Sequence, residues 1–352
     1  MVKVVAFILI LFWAQLFAQH RGIWIVRNSL NTVQDLQRLE QIDQKIGLTD
    51  VYLQVRALGR NVYERTAKDR LSLEEIVRFC HARQIRIHGW INVLYVWSGK
   101  QPPTVKSHPF LEYEHLMTDA QNERLTLPQL RQKGIEGYFL DAGAFVNSGQ
   151  IENLIKQLLI EKQFDGIHLD YLRYPGHGVI FSGYLRTKFM KKYFVDPLVF
   201  FNNLLPQLKG QYRYQNFLLN ELNNYVENLR NIVKSLDETC VLSVAVKPNL
   251  ELARTNFYQD WLTWLQKSSC DYVLIMNYSP DDFEFNKNLV GAENTAFSRK
   301  IVCGIGAYYL NQKRLEQRIN SVEKSKLKGY ALFSFTTIKE QPEILSLVNG
   351  KN

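Results

Sequence analysis

Eight short runs of β-forming, largely apolar residues, separated by stretches with helical periodicity, constrain this chain more than any other feature. The runs are RGIWIVR (21–27), DVYLQVR (50–56), IRIHGWIN (85–92), DGIHLD (165–170), VLSVAVK (241–247), DYVLIMNY (271–278), KIVCGIG (300–306) and KGYALFSF (328–335). Between them lie amphipathic stretches such as LSLEEIVRFCHA, IENLIKQLLIE and NELNNYVENLRNIVKSL. In the last of these Leu222, Val226, Leu229, Ile232, Val233 and Leu236 fall on one helical stripe. Strand and helix alternating eight times predicts an α/β fold, a single (β/α)8 TIM barrel, and the length of 352 residues suits one. Two connections are long, 93–148 after the third strand and 171–215 after the fourth. Both leave the face where barrel enzymes keep their chemistry, so they either shape a cleft or form a lid over apolar surface.

Alternation inside the strands sharpens the barrel reading. Val51, Leu53 and Val55 oppose Tyr52, Gln54 and Arg56; Ile85, Ile87 and Ile91 oppose Arg86, His88, Trp90 and Asn92; Ile167 and Leu169 oppose Gly166, His168 and Asp170. Side chains alternate across a strand with period two, so the aliphatic set can pack under the outer helices while the polar set faces the axis. Buried polar groups need partners, which leaves a hydrogen-bonded polar core or the floor of an open site. The polar residues gather toward the C-terminal ends of the strands, where barrel active sites lie.

The first residues, MVKVVAFILILFWAQLFAQ, read as a signal peptide over residues 1–18 with cleavage after Ala18, followed by one catalytic domain over 19–352. Leu16 stands where a small residue is usual before the cleavage point, so an uncleaved N-terminal anchor is the alternative. After cleavage no membrane span is expected, and an exported protein, periplasmic or extracellular, follows. The formal charge of +9 is scattered without a run of five or six cations, which argues against nucleic acid and for acidic glycans or an anionic envelope as partners. Cys80, Cys240, Cys270 and Cys303 match no metal or redox spacing and read as small buried apolar residues. His168 and Asp170 form the one ligand-like pair, too few for a zinc site, so neither a metal nor another cofactor is expected. No Gly-x-Ser-x-Gly elbow is present.

Asp170 ends the stretch FDGIHLDYLRYPG (164–176) as the last inward position of a strand, followed at once by Tyr171, Arg173 and Tyr174. It is either a carboxylate at the barrel mouth, tuned by Arg173 and Tyr174, or a structural cap paired with Arg173. In series, RGIWI, VYLQVRALGRNVY, IRIHGWIN, GYFLDAG (137–143), FDGIHLDYLRYP, QDW (259–261), DYVLIMNY, GIGAYY (304–309) and GYALFSF resemble the glycoside-hydrolase-like family 10 proteins across nearly the whole chain after residue 18. That resemblance implies a TIM-barrel glycosidase of the bacterial envelope or exterior, with some similar proteins acting on peptidoglycan strands stripped of peptides. It places the fourth-strand carboxylate on Asp170 and groove-lining positions on Arg56, Trp90, Asn92, His168, Arg173, Tyr174, Asn277 and Tyr278. The chain departs from the pattern in ending its fifth strand with Lys247 and Pro248 rather than an acid, and in the alanine of GYFLDAG.

Glycoside cleavage needs a carboxylic acid to protonate the leaving oxygen and a second group as nucleophile or base. Asp170 can fill one role. Candidates for the other are Asp282 and Asp281, preferred because they follow the sixth strand at the same mouth, and Asp141; a solvated acidic turn and a helix cap are their bland readings. Trp90, Trp97, Tyr174, Tyr278, Tyr308 and Tyr309 offer flat faces for sugar rings, with Asn92, Asn277 and Arg56 for hydroxyls. The expectation is a polysaccharide hydrolase. A glycan-binding barrel without a working second carboxylate is the alternative.

Overall fold

The computed structural model describes residues 19–63, 70–146, 148–202 and 210–348. The candidate signal peptide, residues 1–18, lies outside the described residues. Eight parallel strands close into one barrel: β1 (His20–Ile25), β2 (Asp50–Ala57), β3 (Arg86–Asn92), β4 (Gly166–Asp170), β5 (Val241–Val246), β6 (Tyr272–Asn277), β7 (Ile301–Gly306) and β8 (Gly329–Phe333). Each pairs with its sequence neighbour, and β1 pairs with both β2 and β8, which completes the ring. Every strand lies within two residues of its expected limits. No helix among the described residues is long and apolar enough to cross a membrane.

The helices form where the sequence supplies both an apolar stripe and a start signal. Val33–Ile46 begins with a reciprocal capping box between Thr32 and Asp35, and Leu73–His81 with one between Ser72 and Glu75. In the long helix Gly210–Leu236 the buried positions include Leu222, Val226, Leu229 and Val233, with Ile232 and Leu236 packed at the edge of the same stripe. These faces meet the outward aliphatics of the strands, among them Val51, Leu53, Val55, Ile87, Ile91, Ile167 and Leu169, in one continuous core. All four cysteines are buried in it with free thiols.

The two long connections pack together over the C-terminal face. The first contains an antiparallel pair, Tyr95–Trp97 with Tyr138–Phe139, and bridges Thr118 to Phe181 of the second. Gly137 makes that pair possible: a Cβ there would sit 2.3 Å from the Trp97 carbonyl oxygen.

Inside the barrel the polar side chains are linked layer by layer, although among the described residues His88 Nδ1 is left without a hydrogen bond. At the floor Asp50, fully buried, accepts from His88 Nε2 at 2.7 Å, Arg86 at 2.9 Å and Thr49 Oγ1 at 2.6 Å, and His20 Nδ1 lies 3.1 Å away. Burial alone would push this carboxyl up; His20, His88 and Arg86 outweigh it and hold Asp50 well below the usual carboxylate range. The Tyr52 hydroxyl lies 2.9 Å from both His20 Nε2 and the Tyr272 hydroxyl, carrying the network across the axis. One layer higher, Trp24 Nε1 donates to His168 Nε2 at 3.1 Å, so the neutral ring carries its proton on Nδ1 and donates to Ser243 Oγ at 2.9 Å. Gly166 leaves room for this packing, since a Cβ there would meet His88 Nδ1 at 2.2 Å.

Asp50 is the charge on which the floor depends. Because its folded-state pKa is depressed, its contribution is complete above the ordinary carboxyl pKa and is lost as pH falls below about 4. Asp50→Asn is expected to lower unfolding free energy at pH 7 by about 3 to 5 kcal/mol in urea titrations followed by circular dichroism. Its stability should also fall less steeply in acid than that of the parent. A loss under about 1 kcal/mol would show that the floor does not rely on this charge.

Candidate active site

The stretch after β4 is built to hold one carboxyl in place. Asp170 closes the strand with 7% of its surface exposed. Its Oδ2 accepts from Trp90 Nε1 at 3.1 Å and its Oδ1 from the Tyr171 amide at 2.6 Å. Tyr171 takes φ 52°, a left-handed conformation unusual for a tyrosine, and its ring stacks on Tyr95 at 4.6 Å. That turn sends Leu172 and Tyr174 into the core and brings Arg173 back to the mouth. The Arg173 guanidinium lies over the rings of Phe139, Tyr171 and Phe257 at 5.2, 5.1 and 5.0 Å, and it pairs with Glu136 at 2.8 Å.

Burial raises the Asp170 pKa to about 6, against the opposing pull of the Tyr171 amide, Arg173, Trp90 and Lys247. Burial and the neighbouring Arg173 together lower Lys247, at the end of β5, to about 8. Burial, then the Asp170 charge, raises Tyr278 well above the ordinary phenol range, so its hydroxyl is a neutral donor. A carboxyl that keeps its proton close to neutrality and an amine that releases its own only slightly above it make a site suited to proton transfer.

These groups surround an open cavity of about 570 Å³, within the range of small-molecule and sugar sites. Trp24, Gln54, Trp90, Asn92, Asp170 and Met276 rise into it from the strands, and Phe333 comes from the end of β8. The connections add Arg27, Tyr95, Glu136, Tyr171, Arg173, Lys247 and Tyr278. Asn92 accepts from Gln54 Nε2 at 3.2 Å. Tyr278 stacks on Phe333 at 5.1 Å and meets Trp24 edge-on at 6.2 Å, giving one aromatic wall.

Of the residues expected here, Asp170, Trp90, Asn92, Arg173 and Tyr278 come together, and the others do not. Asp282 and Asp281 require correction. Asp282 is 56% exposed and its Oδ1 is held by Arg314 at 2.8 Å and Arg318 at 2.7 Å, bonds that also lower its pKa. Asp281 caps the helix Asp282–Glu293 by accepting from the Glu284 amide at 2.8 Å. Asp141 is fully buried, accepting from Ser182 Oγ at 2.6 Å, the Gly143 amide at 2.7 Å and His115 Nδ1 at 3.0 Å. His168 belongs to the Trp24–Ser243 layer beneath the pocket.

Arg56 is buried beside Phe145, donating to Asn61 and Gln150. Asn277 points outward to the Phe285 carbonyl and Asn288, and Tyr174 is in the outer core. Trp97 packs on His108 and donates to the Gln101 carbonyl. Tyr308 sits outside the cavity against Tyr309 at 4.2 Å, its edge toward the Tyr278 and Phe333 wall.

The acid that sequence reasoning missed is Glu136, with 40% of its side chain exposed at the rim. Its signal was faint: it directly precedes GYFLDAG, the motif whose first glycine lets the hairpin close. Trp24 and Phe333 were visible as inward positions of RGIWI and GYALFSF.

Comparison with solved structures finds the same barrel in known glycosidases. A chitinase from Chromobacterium violaceum superposes with TM-score 0.52 at 12% identity, covering 92% of this chain and 98% of its own. The catalytic domain of a β-amylase from Paenibacillus polymyxa gives 0.57 at 11% identity, covering 94% and 97%. An α-L-fucosidase from Paenibacillus thiaminolyticus gives 0.62 at 10% identity, covering 93% of this chain and 48% of the fucosidase. At such identities the likeness is one of fold. No curated protein matches in sequence. The sequence profile of the family described as glycosyl hydrolase-like 10 does match, over residues 19–308. Because that span takes in β1 through β7 and both long connections, the chain belongs to the glycosyl hydrolase-like 10 family.

Proposed function

We propose that this protein is an exported glycoside hydrolase acting on bacterial envelope polysaccharide, with peptidoglycan glycan strands as the preferred substrate. The observation that carries the reading is Asp170, a carboxyl buried at the floor of an aromatic-walled cavity, kept protonated toward neutrality by desolvation. Family membership supports the chemistry. The N-terminal apolar segment in the sequence supports export.

In this reading Asp170 donates its proton to the glycosidic oxygen as the bond from that oxygen to the anomeric carbon breaks. Trp90 Nε1–H and the Tyr171 amide then stabilise the carboxylate left behind. Glu136 takes the second role, as base for the attacking water or as nucleophile, and its pair with Arg173 holds it at the rim of the cavity. The wall of Trp24, Tyr278 and Phe333 receives the sugar rings.

A second reading, glycan binding without turnover, rests on one observation: the fifth strand leads into Lys247 instead of an acid, and Glu136 is already ion-paired. Mass spectrometry of soluble fragments separates the two. Purified peptidoglycan, intact and peptide-stripped, is compared with poly-N-acetylglucosamine. The unsubstituted protein should release fragments, and Asp170→Asn should release about 10² to 10⁴-fold less. Equal release by both would remove Asp170 from catalysis, and binding without release would leave a glycan-binding barrel.

The pH dependence has a definite sign. The proton on Asp170 is the reactive one, so kcat/KM should fall as pH rises through about 6, tenfold per unit on the alkaline side. A profile flat from pH 5 to 8 would contradict the assignment. Glu136→Ala should lose turnover at least about 10²-fold and regain part of it with added azide, which occupies the vacated space as a small anion. Undiminished turnover in Glu136→Ala would exclude Glu136 as the second group.

A further inference from the structure

Lys247 is a charged side chain of the pocket, at the end of a barrel strand, that the glycosidase reading leaves without a task. The residues around it fix it firmly. Its amide donates to Gln259 Oε1 at 2.8 Å, and its carbonyl accepts from Trp261 Nε1 at 3.1 Å. Gln259 Nε2 reaches on to the carbonyls of Leu172 and Ala245, at 3.3 and 3.2 Å, tying the end of β5 to the segment after β4. Two residues of the QDW motif thus serve to hold the Lys247 backbone at the barrel mouth.

The ammonium that this frame presents is unmatched. Among the described residues no carboxylate lies within ion-pairing distance of Lys247 Nζ, which lies over the face of Phe257, 4.9 Å from the ring centroid. Glu136, the acid at the rim of the same cavity, is engaged by Arg173. Half-buried charges without a counter-ion are costly, and one kept at the wall of an open cavity is matched when an anion arrives. The balance of the cavity agrees. Arg27, Arg173 and Lys247 face Asp170 and Glu136, and the excess of cations widens when Asp170 carries its proton.

Resting on the glycosidase reading above, we infer that the pocket selects a carboxylated sugar, whose carboxylate pairs with Lys247 Nζ while its ring lies along the aromatic wall. A muramic acid unit freed of its peptide and a hexuronic acid both carry that group; a neutral amino-sugar polymer does not. Lys247 is then a specificity-determining residue, and its contact does not depend on bond cleavage.

The test therefore reads binding, using the full protein with Asp170→Asn to prevent turnover. Titration calorimetry compares a peptide-free tetrasaccharide of alternating N-acetylglucosamine and N-acetylmuramic acid, its carboxyl methyl ester, a hexuronic acid tetramer and chitotetraose. Esterification should weaken binding at least tenfold, with no substitution at Lys247 involved, and chitotetraose should bind like the ester. Adding Lys247→Met should weaken the free acid by a similar factor and leave the ester unchanged, whereas Lys247→Arg should retain the preference. The hexuronic acid arm tells whether the carboxylate must be borne on a lactyl ether.

Equal affinity for acid and ester, or a Lys247→Met loss equal on both, would overturn the carboxylate assignment and leave the glycosidase intact. Binding of none of the four would overturn both. Tight acid binding without fragment release by the unsubstituted protein would uphold this inference and overturn only the hydrolase.

Discussion

A barrel axis filled with hydrogen-bonding side chains has to satisfy them across the axis, because no bulk water reaches it. Asp50 sets the terms at the floor by collecting His88, Arg86 and Thr49 around one carboxylate, with Tyr52 bridging His20 to Tyr272. Asp170, at the opposite end of the same axis, is also largely withdrawn from solvent but meets neutral donors, Trp90 Nε1–H and the Tyr171 amide. The guanidinium three residues on is directed to Glu136. The two carboxyls are therefore driven in opposite directions: cations win at the floor, and desolvation wins at the mouth. A carboxyl held ionised at one end and one that keeps its proton toward neutrality at the other follow from how the cations are distributed.

The connections complete what the strands begin. Arg173 would be an ordinary buried arginine without the ring faces of Phe139 and Phe257, each brought in by a different connection. Its fixed position in turn sets Glu136 at the rim. Asp170 thus sits on a rigid strand end, while Glu136 lies beside a hairpin that Gly137 allows to close.

Much of this was legible in the sequence, for a physical reason. Period-two alternation is local, so eight strands and the inward direction of Trp90, Asn92 and Asp170 could be read directly. The same rule, applied strictly, excludes Asn277: Tyr272 and Leu274 point inward, so Asn277 must point out. His168 has the right parity but sits one layer too low, which alternation does not encode. Arg56 also has the right parity, but the register shift between Gln54 and Arg56 turns it away toward Asn61 and Gln150. Asp281 and Asp282 carried a readable warning, since an acid followed three residues later by Glu284 at a helix start is a capping pattern. Glu136 was beyond reach, because its place depends on a contact between two connections that no periodicity records.

Lysine at the end of the fifth strand changes how the site is tuned. An acid there would have raised the Asp170 pKa by repulsion between like charges. Lys247 instead pulls it down, so desolvation alone keeps the proton on. A sugar filling the cavity displaces water and strengthens that desolvation, and it also acts on Lys247 by disfavouring the ammonium. An uncharged ligand would therefore bury an unpaired cation beside the acid, at a cost to binding. A carboxylate on the sugar would neutralise the cation and remove one of the charges opposing protonation of Asp170. The same contact that recognises an acidic sugar would then favour the proton that its cleavage requires.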